Sequence, residues 1–131
     1  MEDPLKPRNT AFLLEQMNQG EARYASHLEL LLKVPQSEML AWRFQPLTFI
    51  LADHTRYTPD FLCVYADRFE VHEFKGFWRD DARVKIKVAA SQYPWFRWYA
   101  IQEKRKRDGG GYSIEEIKSR PLDLTGLGVI I

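Results

Sequence analysis

The amino-acid sequence predicts an α/β fold with a mixed central β-sheet flanked by helices. The first reason is the order of the predicted elements along the 131 residues, which runs helix, strand, strand, strand, helix, strand. The second is composition, because 45% hydrophobic and 14% aromatic residues suit a single core and argue against disorder. We therefore expect one domain over residues 1–131, with an extended arm over residues 1–9 and a short helix over residues 11–17.

The main N-terminal helix is expected to begin after Asn18 and to end near Val34, before Pro35. Asn18 is a favourable N-cap, and Glu21 follows it by three residues, which is the spacing of a capping box. Glu21 also lies on the apolar stripe of this helix, one turn before Tyr24. The residues leave two roles open for Glu21: it closes the capping box, or it faces a site at the sheet.

A β-hairpin is predicted from the apolar run 61–65, a turn, and a returning strand over residues 69–75. Side chains alternate along a strand, so Glu73 and Lys75 emerge on the same face. Asp60 stands at the mouth of the partner strand. The hairpin would therefore bring Asp60, Glu73 and Lys75 together at one end of a sheet.

The other elements are less regular. A strand is expected over residues 42–51, interrupted near Pro46, and a loop over residues 52–58. A helix should then run from an N-cap at Asp80 or Asp81 to about Tyr93. It is followed by a strand over residues 95–101 and by a short strand or helix from Tyr112. A basic run ends in three glycines, and we expect residues 104–111 to form a mobile cationic loop.

The three side chains of the hairpin have a chemical use. Two ionised carboxylates, Asp60 and Glu73, make a hard oxygen site suited to Mg²⁺ or Mn²⁺. The Lys75 ammonium can then orient or activate an attacking water while the metal stabilises charge on a phosphate. Without a metal, Lys75 would partly offset the repulsion between the two carboxylates.

Charge is unevenly distributed along the chain, although the net charge is only +1. Residues 75–107 hold ten Lys or Arg against three Asp or Glu, whereas residues 1–74 hold seven against eleven. A polyanion lying across the acidic site would meet the positive segment, as binding to a phosphate backbone requires. The alternative is that these charges simply solvate helix and loop faces.

At the residues of the predicted hairpin the sequence resembles the PD-(D/E)XK nuclease superfamily. Pro59-Asp60 matches the first half of the family's motif, and Glu73-Phe74-Lys75 matches the second half. The closer likeness is to small phage-encoded nuclease-like proteins, some of them likened to Holliday-junction resolvases. Their pattern is matched over roughly residues 20–101, in order, by Glu21-Ala22-Arg23-Tyr24, Gln45-Pro46, Tyr57 to Phe61, Glu73 to Gly76, and Lys85-Ile86-Lys87.

The resemblance implies a restriction-endonuclease-like core and a metal-dependent endonuclease in phage DNA metabolism that acts on branched or otherwise structured DNA. Asp60 and Glu73 would hold Mg²⁺, for which Mn²⁺ would substitute. Lys75 would position or deprotonate the attacking water. Many members of the superfamily add an acidic residue from the first helix to the metal site, and Glu21 matches that position.

Contacts to nucleic acid are expected from one amide and seven cations: Gln45, Arg79, Lys85, Lys87, Lys104, Arg105, Lys106 and Arg107. The plainer alternative for each is a solvated surface group. Phe77 and Trp78 lie just past the site, where they can stack on an unpaired base or form an aromatic lid over the core.

The resemblance also implies a homodimer, because a resolvase needs two active sites on opposed strands. We expect no organic cofactor and no membrane partner, since no apolar run approaches membrane-spanning length, and we expect a cytoplasmic location, in the host cell for a phage protein. Cys63 and His72 are expected to be structural. The rival hypotheses are a catalytically silent DNA- or protein-binding module and a purely structural phage protein.

Overall fold

The computed structural model describes residues 15–118 of the chain. Its helices and strands, in order, are α1 (Gln19–Leu32), β1 (Met39–Phe44), β2 (Phe49–Ile50), β3 (Arg56–Tyr57), β4 (Phe61–Tyr65), β5 (Phe69–Lys75), α2 (Asp80–Gln92), β6 (Arg97–Glu103) and β7 (Tyr112–Ile117). The arm expected over residues 1–9 and most of the short helix expected over residues 11–17 lie outside the described residues.

The central sheet has five strands in the order β1-β4-β5-β6-β7. β5 and β6 run parallel, and every other neighbouring pair is antiparallel. The parallel pair needs a long crossover, which α2 supplies, whereas the antiparallel pair β4–β5 is joined by a short turn. The predicted α/β class with a mixed central sheet is therefore confirmed.

Each face of the sheet carries its own hydrophobic cluster. On one face α1 packs Tyr24 and Leu28 against Phe61 of β4. On the other face, Ile86 of α2 packs with Trp98 of β6 and with the small β2–β3 sheet. With both faces covered, a buried polar site opens to solvent most readily where the strands end.

The start of α1 matches the prediction in detail. The Asn18 side chain accepts the N–H of Glu21 at 2.8 Å, and the Glu21 carboxylate accepts the N–H of Asn18 at 2.9 Å, which completes the capping box. The helix ends at Leu32, two residues before the predicted end. Its first turn sits directly on β5, because a Cβ added at Gly20 would lie 2.6 Å from a ring carbon of Phe74.

The interruption predicted near Pro46 is present, but it separates two strands in different sheets, so the prediction of a single strand over residues 42–51 is wrong. β1 begins at Met39 and ends at Phe44, and the chain then turns through Gln45, whose φ of 48° lies in the left-handed region. Pro46 has no N–H to continue the ladder. The following residues form β2 in a separate sheet with β3, so the expected loop over 52–58 contains a strand as well.

Other boundaries shift by one or two residues. Arg79, rather than Asp80 or Asp81, is the N-cap residue of α2. The strand expected over residues 95–101 occupies Arg97–Glu103, because its register is set by the parallel ladder with β5.

The chain beyond β6 turns back tightly and ends the described part as a strand. The β6–β7 connection turns through Gly109, Gly110 and Gly111, all at positive φ, which a residue without a Cβ adopts at no steric cost. Residues from Tyr112 form β7, which settles the choice between strand and helix. No helix within residues 15–118 is both long enough and apolar enough to cross a membrane.

Candidate active site

The structure brings Asp60, Glu73 and Lys75 together at one end of the central sheet. The β4–β5 ladder pairs Phe61 with His72, which places Asp60 opposite Glu73 where the two strands end. Both carboxyl side chains are buried, with Asp60 3% and Glu73 4% exposed. The Lys75 ammonium lies 3.1 Å from Oε1 of Glu73.

Fixed hydrogen-bond donors hold the two carboxyl groups in place. The Tyr57 hydroxyl donates to Oε2 of Glu73 at 2.5 Å, and the backbone N–H of Phe74 donates to Oδ2 of Asp60 at 2.9 Å. Their oxygens are therefore oriented by one hydroxyl group from β3 and one backbone N–H from β5.

Burial, and then the neighbouring Glu73, raise the pKa of Asp60 well above its ordinary range. Two carboxylates that share a site cannot both ionise easily, so the pair favours holding one proton between them. Burial and the Glu73 carboxyl also raise the pKa of Tyr57, so its hydroxyl remains a donor. The repulsion between the two carboxylates therefore calls for a compensating positive charge nearby.

Lys75 supplies part of that charge. Burial alone would lower the pKa of Lys75, but the Glu73 and Asp60 carboxyls outweigh it and the pKa is raised. Lys75 is therefore an ammonium ion in this arrangement. An ammonium ion can orient a water molecule or a phosphate oxygen, which fits the positioning role, and the base role stays a prediction.

A cavity of about 650 Å³ opens above the carboxyl pair. Its walls come from the start of α1, the ends of the central strands, and the start of α2. They are mostly polar and consist of Glu21, Gln45, Tyr57, Thr58, Asp60, Glu73, Lys75, Phe77, Arg79, Asp81, Ala82 and Lys85. The cavity therefore gathers all four predicted catalytic residues and three of the predicted nucleic-acid contacts.

Glu21 combines both roles that its sequence position left open. It lines the cavity, and its charge contributes to the raised pKa of Asp60. It also closes the capping box through Oε1. Within residues 15–118, no group of three or more His, Cys, Asp and Glu side chains is placed to hold a metal ion, so the metal role of Glu21 stays a prediction.

The remaining predicted contacts lie outside the cavity. Lys87 is exposed on α2, and the four cations from Lys104 to Arg107 are exposed in the turn between β6 and β7. That turn is at the same end of the sheet as the site, since the parallel ladder pairs Lys75 with Gln102. These four residues, hereafter the basic turn, therefore flank the site.

Two features of the site were not predicted. Tyr57 appeared only as part of a matched pattern, and its contact with Glu73 depends on the short strand β3. Phe77 and Trp78 also prove to differ: Phe77 lines the cavity with 75% of its surface exposed, whereas the Trp78 indole donates to the Ile101 carbonyl. Neighbouring aromatic residues in a turn carry no sequence signal for which ring faces solvent.

The two residues expected to be structural are buried in the core. Cys63 lies in the cluster beneath α1, with no exposed surface. On the same face of the sheet, the His72 ring nitrogens contact the Tyr24 hydroxyl at 2.6 Å and the Glu70 carboxylate at 2.9 Å. His72 thus points away from the cavity that Glu73 faces.

The chain was compared with known protein families, with curated proteins and with solved structures, and none of the three comparisons found a match.

Proposed function

We propose that this protein is a Mg²⁺-dependent endonuclease of DNA with a restriction-endonuclease-like core, and that it acts on branched or otherwise structured DNA. The observation that carries the proposal is the pairing of two buried carboxyl groups, Asp60 and Glu73, beside the Lys75 ammonium at the base of a cavity. The preference for branched DNA rests on the resemblance described above. A resolvase-like reaction would require two active sites on opposed strands, and hence a homodimer.

The residues present fit a magnesium ion. Mg²⁺ is usually held by one or two carboxylates together with waters and substrate phosphate oxygens, so a two-carboxylate site is sufficient. Asp60 and Glu73 supply those oxygens, and an added positive charge would offset the repulsion between the two buried carboxylates. When bound, the ion would supply Lewis-acid stabilisation of charge on the phosphate, and Mn²⁺ would substitute.

The protein groups around the pair have separate tasks in this proposal. Tyr57 and the Phe74 N–H fix the orientation of Glu73 and Asp60. Lys75 holds the attacking water or a phosphate oxygen in line with phosphorus. Arg79 and Lys85 on the cavity wall, and the basic turn beside it, would contact the DNA backbone.

Replacing Asp60 by asparagine tests the proposal. Asp60→Asn keeps an oxygen that can accept the Phe74 N–H but removes a metal-binding charge. We expect the cleavage rate in Mg²⁺ to fall by about a thousandfold or more. The assay is cleavage of a panel of flap, fork, four-way, linear and single-stranded DNAs, with binding measured separately in EDTA, where Asp60→Asn should match the parent.

Asp53→Asn is the matched control. Asp53 is exposed, lies outside the cavity, and has a left-handed backbone that asparagine tolerates. The control should cleave at the parent rate. Equal cleavage by Asp60→Asn and the parent would show that this carboxylate does not take part.

A nucleic-acid-binding module without cleavage is the second candidate. It is favoured by the way the acidic pair is already satisfied. Glu73 contacts Tyr57 and Lys75, Asp60 accepts the Phe74 N–H, and among residues 15–118 no buried side-chain nitrogen or oxygen lacks a hydrogen-bond partner. Tight DNA binding by the parent, with no cleavage of any substrate in Mg²⁺ or Mn²⁺, would establish this function instead.

A further inference from the structure

One ring on the cavity wall is largely exposed in the part of the chain that the structure describes. Phe77 lies two residues beyond the end of β5, lines the cavity, and is 75% exposed. Tyr57, the other aromatic residue among the described wall residues, is buried, and its hydroxyl is occupied by Glu73. Phe77 therefore offers a free aromatic face at the rim of an otherwise polar cavity.

The exposure of Phe77 is specific to this residue rather than a property of the turn. Its neighbour Trp78 is half-buried, donates its indole N–H to the Ile101 carbonyl, and packs against the cluster under α2. Gly76 and Trp78 thus anchor the turn on both sides, since the Gly76 carbonyl accepts an N–H from the Gln102 side chain. The turn presents the Phe77 ring outward between two fixed points.

Two cationic residues flank Phe77 in the sequence and line the same cavity. Lys75 lies two residues before Phe77, a separation of at most about 7 Å between Cα atoms, and Arg79 lies two residues after it on the same wall. Cations that follow a backbone, interleaved with an aromatic face, are the pattern by which proteins hold single-stranded nucleic acid.

The depth of the carboxyl pair favours the same kind of ligand. Asp60 and Glu73 are nearly inaccessible at the base of the cavity, so the reacting phosphate has to enter it with its nucleotide close to the rim. A base inside a continuous duplex has both faces covered by its neighbours. Only an unpaired base offers a face to Phe77.

We propose that Phe77 forms a stacking subsite for an unpaired base next to the phosphate that Lys75 and Arg79 bind. The substrate class is then DNA with single-stranded segments, such as flaps, forks and free strands, rather than continuous duplex. This subsite rests on the proposed nucleic-acid function, and binding experiments without metal separate it from the question of cleavage.

The test measures binding in EDTA by fluorescence anisotropy with three labelled probes. They are a short oligothymidylate, an abasic oligonucleotide of the same length and charge, and a duplex of that length. Phe77→Ala removes the ring, Phe77→Leu keeps apolar bulk without a π-face, and Phe77→Trp keeps a ring. Trp95→Ala is the matched control, since Trp95 is 77% exposed and lies outside the cavity.

We expect Phe77→Ala and Phe77→Leu to weaken binding of the oligothymidylate by about 5-fold to 100-fold. Binding of the abasic probe and of the duplex should not change, because neither has a free base to stack. Phe77→Trp and Trp95→Ala should bind all three probes as the parent does. Thermal unfolding of each variant should match the parent, because the ring is exposed.

Three results would overturn the subsite: equal binding of the oligothymidylate by Phe77→Ala and the parent, equal losses on all three probes, or no binding of any probe by the parent. Failure of cleavage is a separate outcome. If the Phe77-dependent discrimination is present but no DNA is cut in Mg²⁺, the stacking subsite stands and the nuclease proposal fails.

Discussion

Asp60 is the residue at which the site and the stability of the protein are most directly linked. Its pKa is raised in the folded protein by burial and by Glu73, so the folded state binds a proton more tightly than the unfolded chain does. A raised carboxyl pKa contributes stability that is complete below the ordinary carboxyl pKa and is lost as pH rises through the raised value. The acidic pair therefore destabilises the fold at neutral and alkaline pH.

Asp60→Asn should consequently stabilise the protein in a pH-dependent way. The amide oxygen can still accept the Phe74 N–H, and the amide carries no charge. We expect the free energy of unfolding to rise by about 1–3 kcal/mol near pH 8 and to change little near pH 4. Urea denaturation at both pH values measures it, with Asp53→Asn as the control. Destabilisation by Asp60→Asn at both pH values would contradict the assignment.

Among the residues of the site, the acidic pair could be predicted from the sequence, whereas its neighbour Tyr57 could not be assigned a role. The grouping of Asp60, Glu73 and Lys75 follows from strand alternation and one tight hairpin, both of which are local features. Tyr57 could not be assigned a role in the same way. It reaches Glu73 through β3, a strand of two residues whose pairing with β2 has no periodic pattern to reveal it.

The contact between α1 and β5 links the packing of a helix to the orientation of a carboxyl group in the site. Gly20, in the first turn of α1, leaves just enough room for the Phe74 ring, which is buried and also stacks on Tyr24. Phe74 donates its backbone N–H to Asp60, so the position of this helix and the orientation of a site carboxylate depend on the same residue.

Gly20→Ala should therefore be destabilising, although alanine is the better helix former. The added Cβ would lie 2.6 Å from the Phe74 ring, which is enclosed and cannot move away freely. We expect a loss of about 1–3 kcal/mol in the free energy of unfolding, measured by urea denaturation. Gly76→Ala is the control: no heavy atom lies within 4 Å of its added Cβ, and we expect a change within about 0.5 kcal/mol.

If Gly20→Ala proves as stable as the parent, α1 has room to shift away from β5, and the close approach is not a constraint.

Element boundaries show why such contacts escape sequence analysis. The capping box at Asn18 is a local hydrogen-bond pattern and was predicted, whereas the start of β6 at Arg97 depends on its ladder with β5. The left-handed turn at Gln45 likewise depends on the tertiary pairing that ends β1.

Over the whole molecule, the distribution of charge matters more than its sum. The net charge is only +1, yet Lys75, Arg79, Lys85 and the basic turn all lie at the end of the sheet where the cavity opens. Attraction of a polyanion should therefore be confined to that end and should weaken with added salt, as counterion release requires.

Arg79→Gln should reduce the salt dependence of DNA binding. If Arg79 contacts one phosphate of single-stranded DNA, the slope of log binding constant against log salt concentration should become shallower by about 0.7. Lys33→Gln is the control, because Lys33 is exposed at the opposite end of α1 from Glu21. A filter-binding titration at several salt concentrations gives both slopes. Equal slopes for the two variants would remove Arg79 from the interface.

The fold class could be predicted from element order because a helix between two strands favours a parallel crossover, which is what α2 provides. The second, two-stranded sheet and the division of the core into two clusters could not be predicted. Both features depend on which face of the central sheet each element packs against. Hydrophobic periodicity shows which face of an element is buried, but it does not show which other element covers that face.

One consequence follows from how the cavity is assembled along the chain. Ten of its twelve described wall residues fall between Tyr57 and Lys85, within the continuous run from β3 through β4 and β5 to the start of α2. Recombination that breaks the gene outside this run would move these ten residues as one block. Descendants could then exchange the helix that carries Glu21, the edge strands and the basic turn, while the wall from Tyr57 to Lys85 stayed intact, Phe77 and Arg79 included.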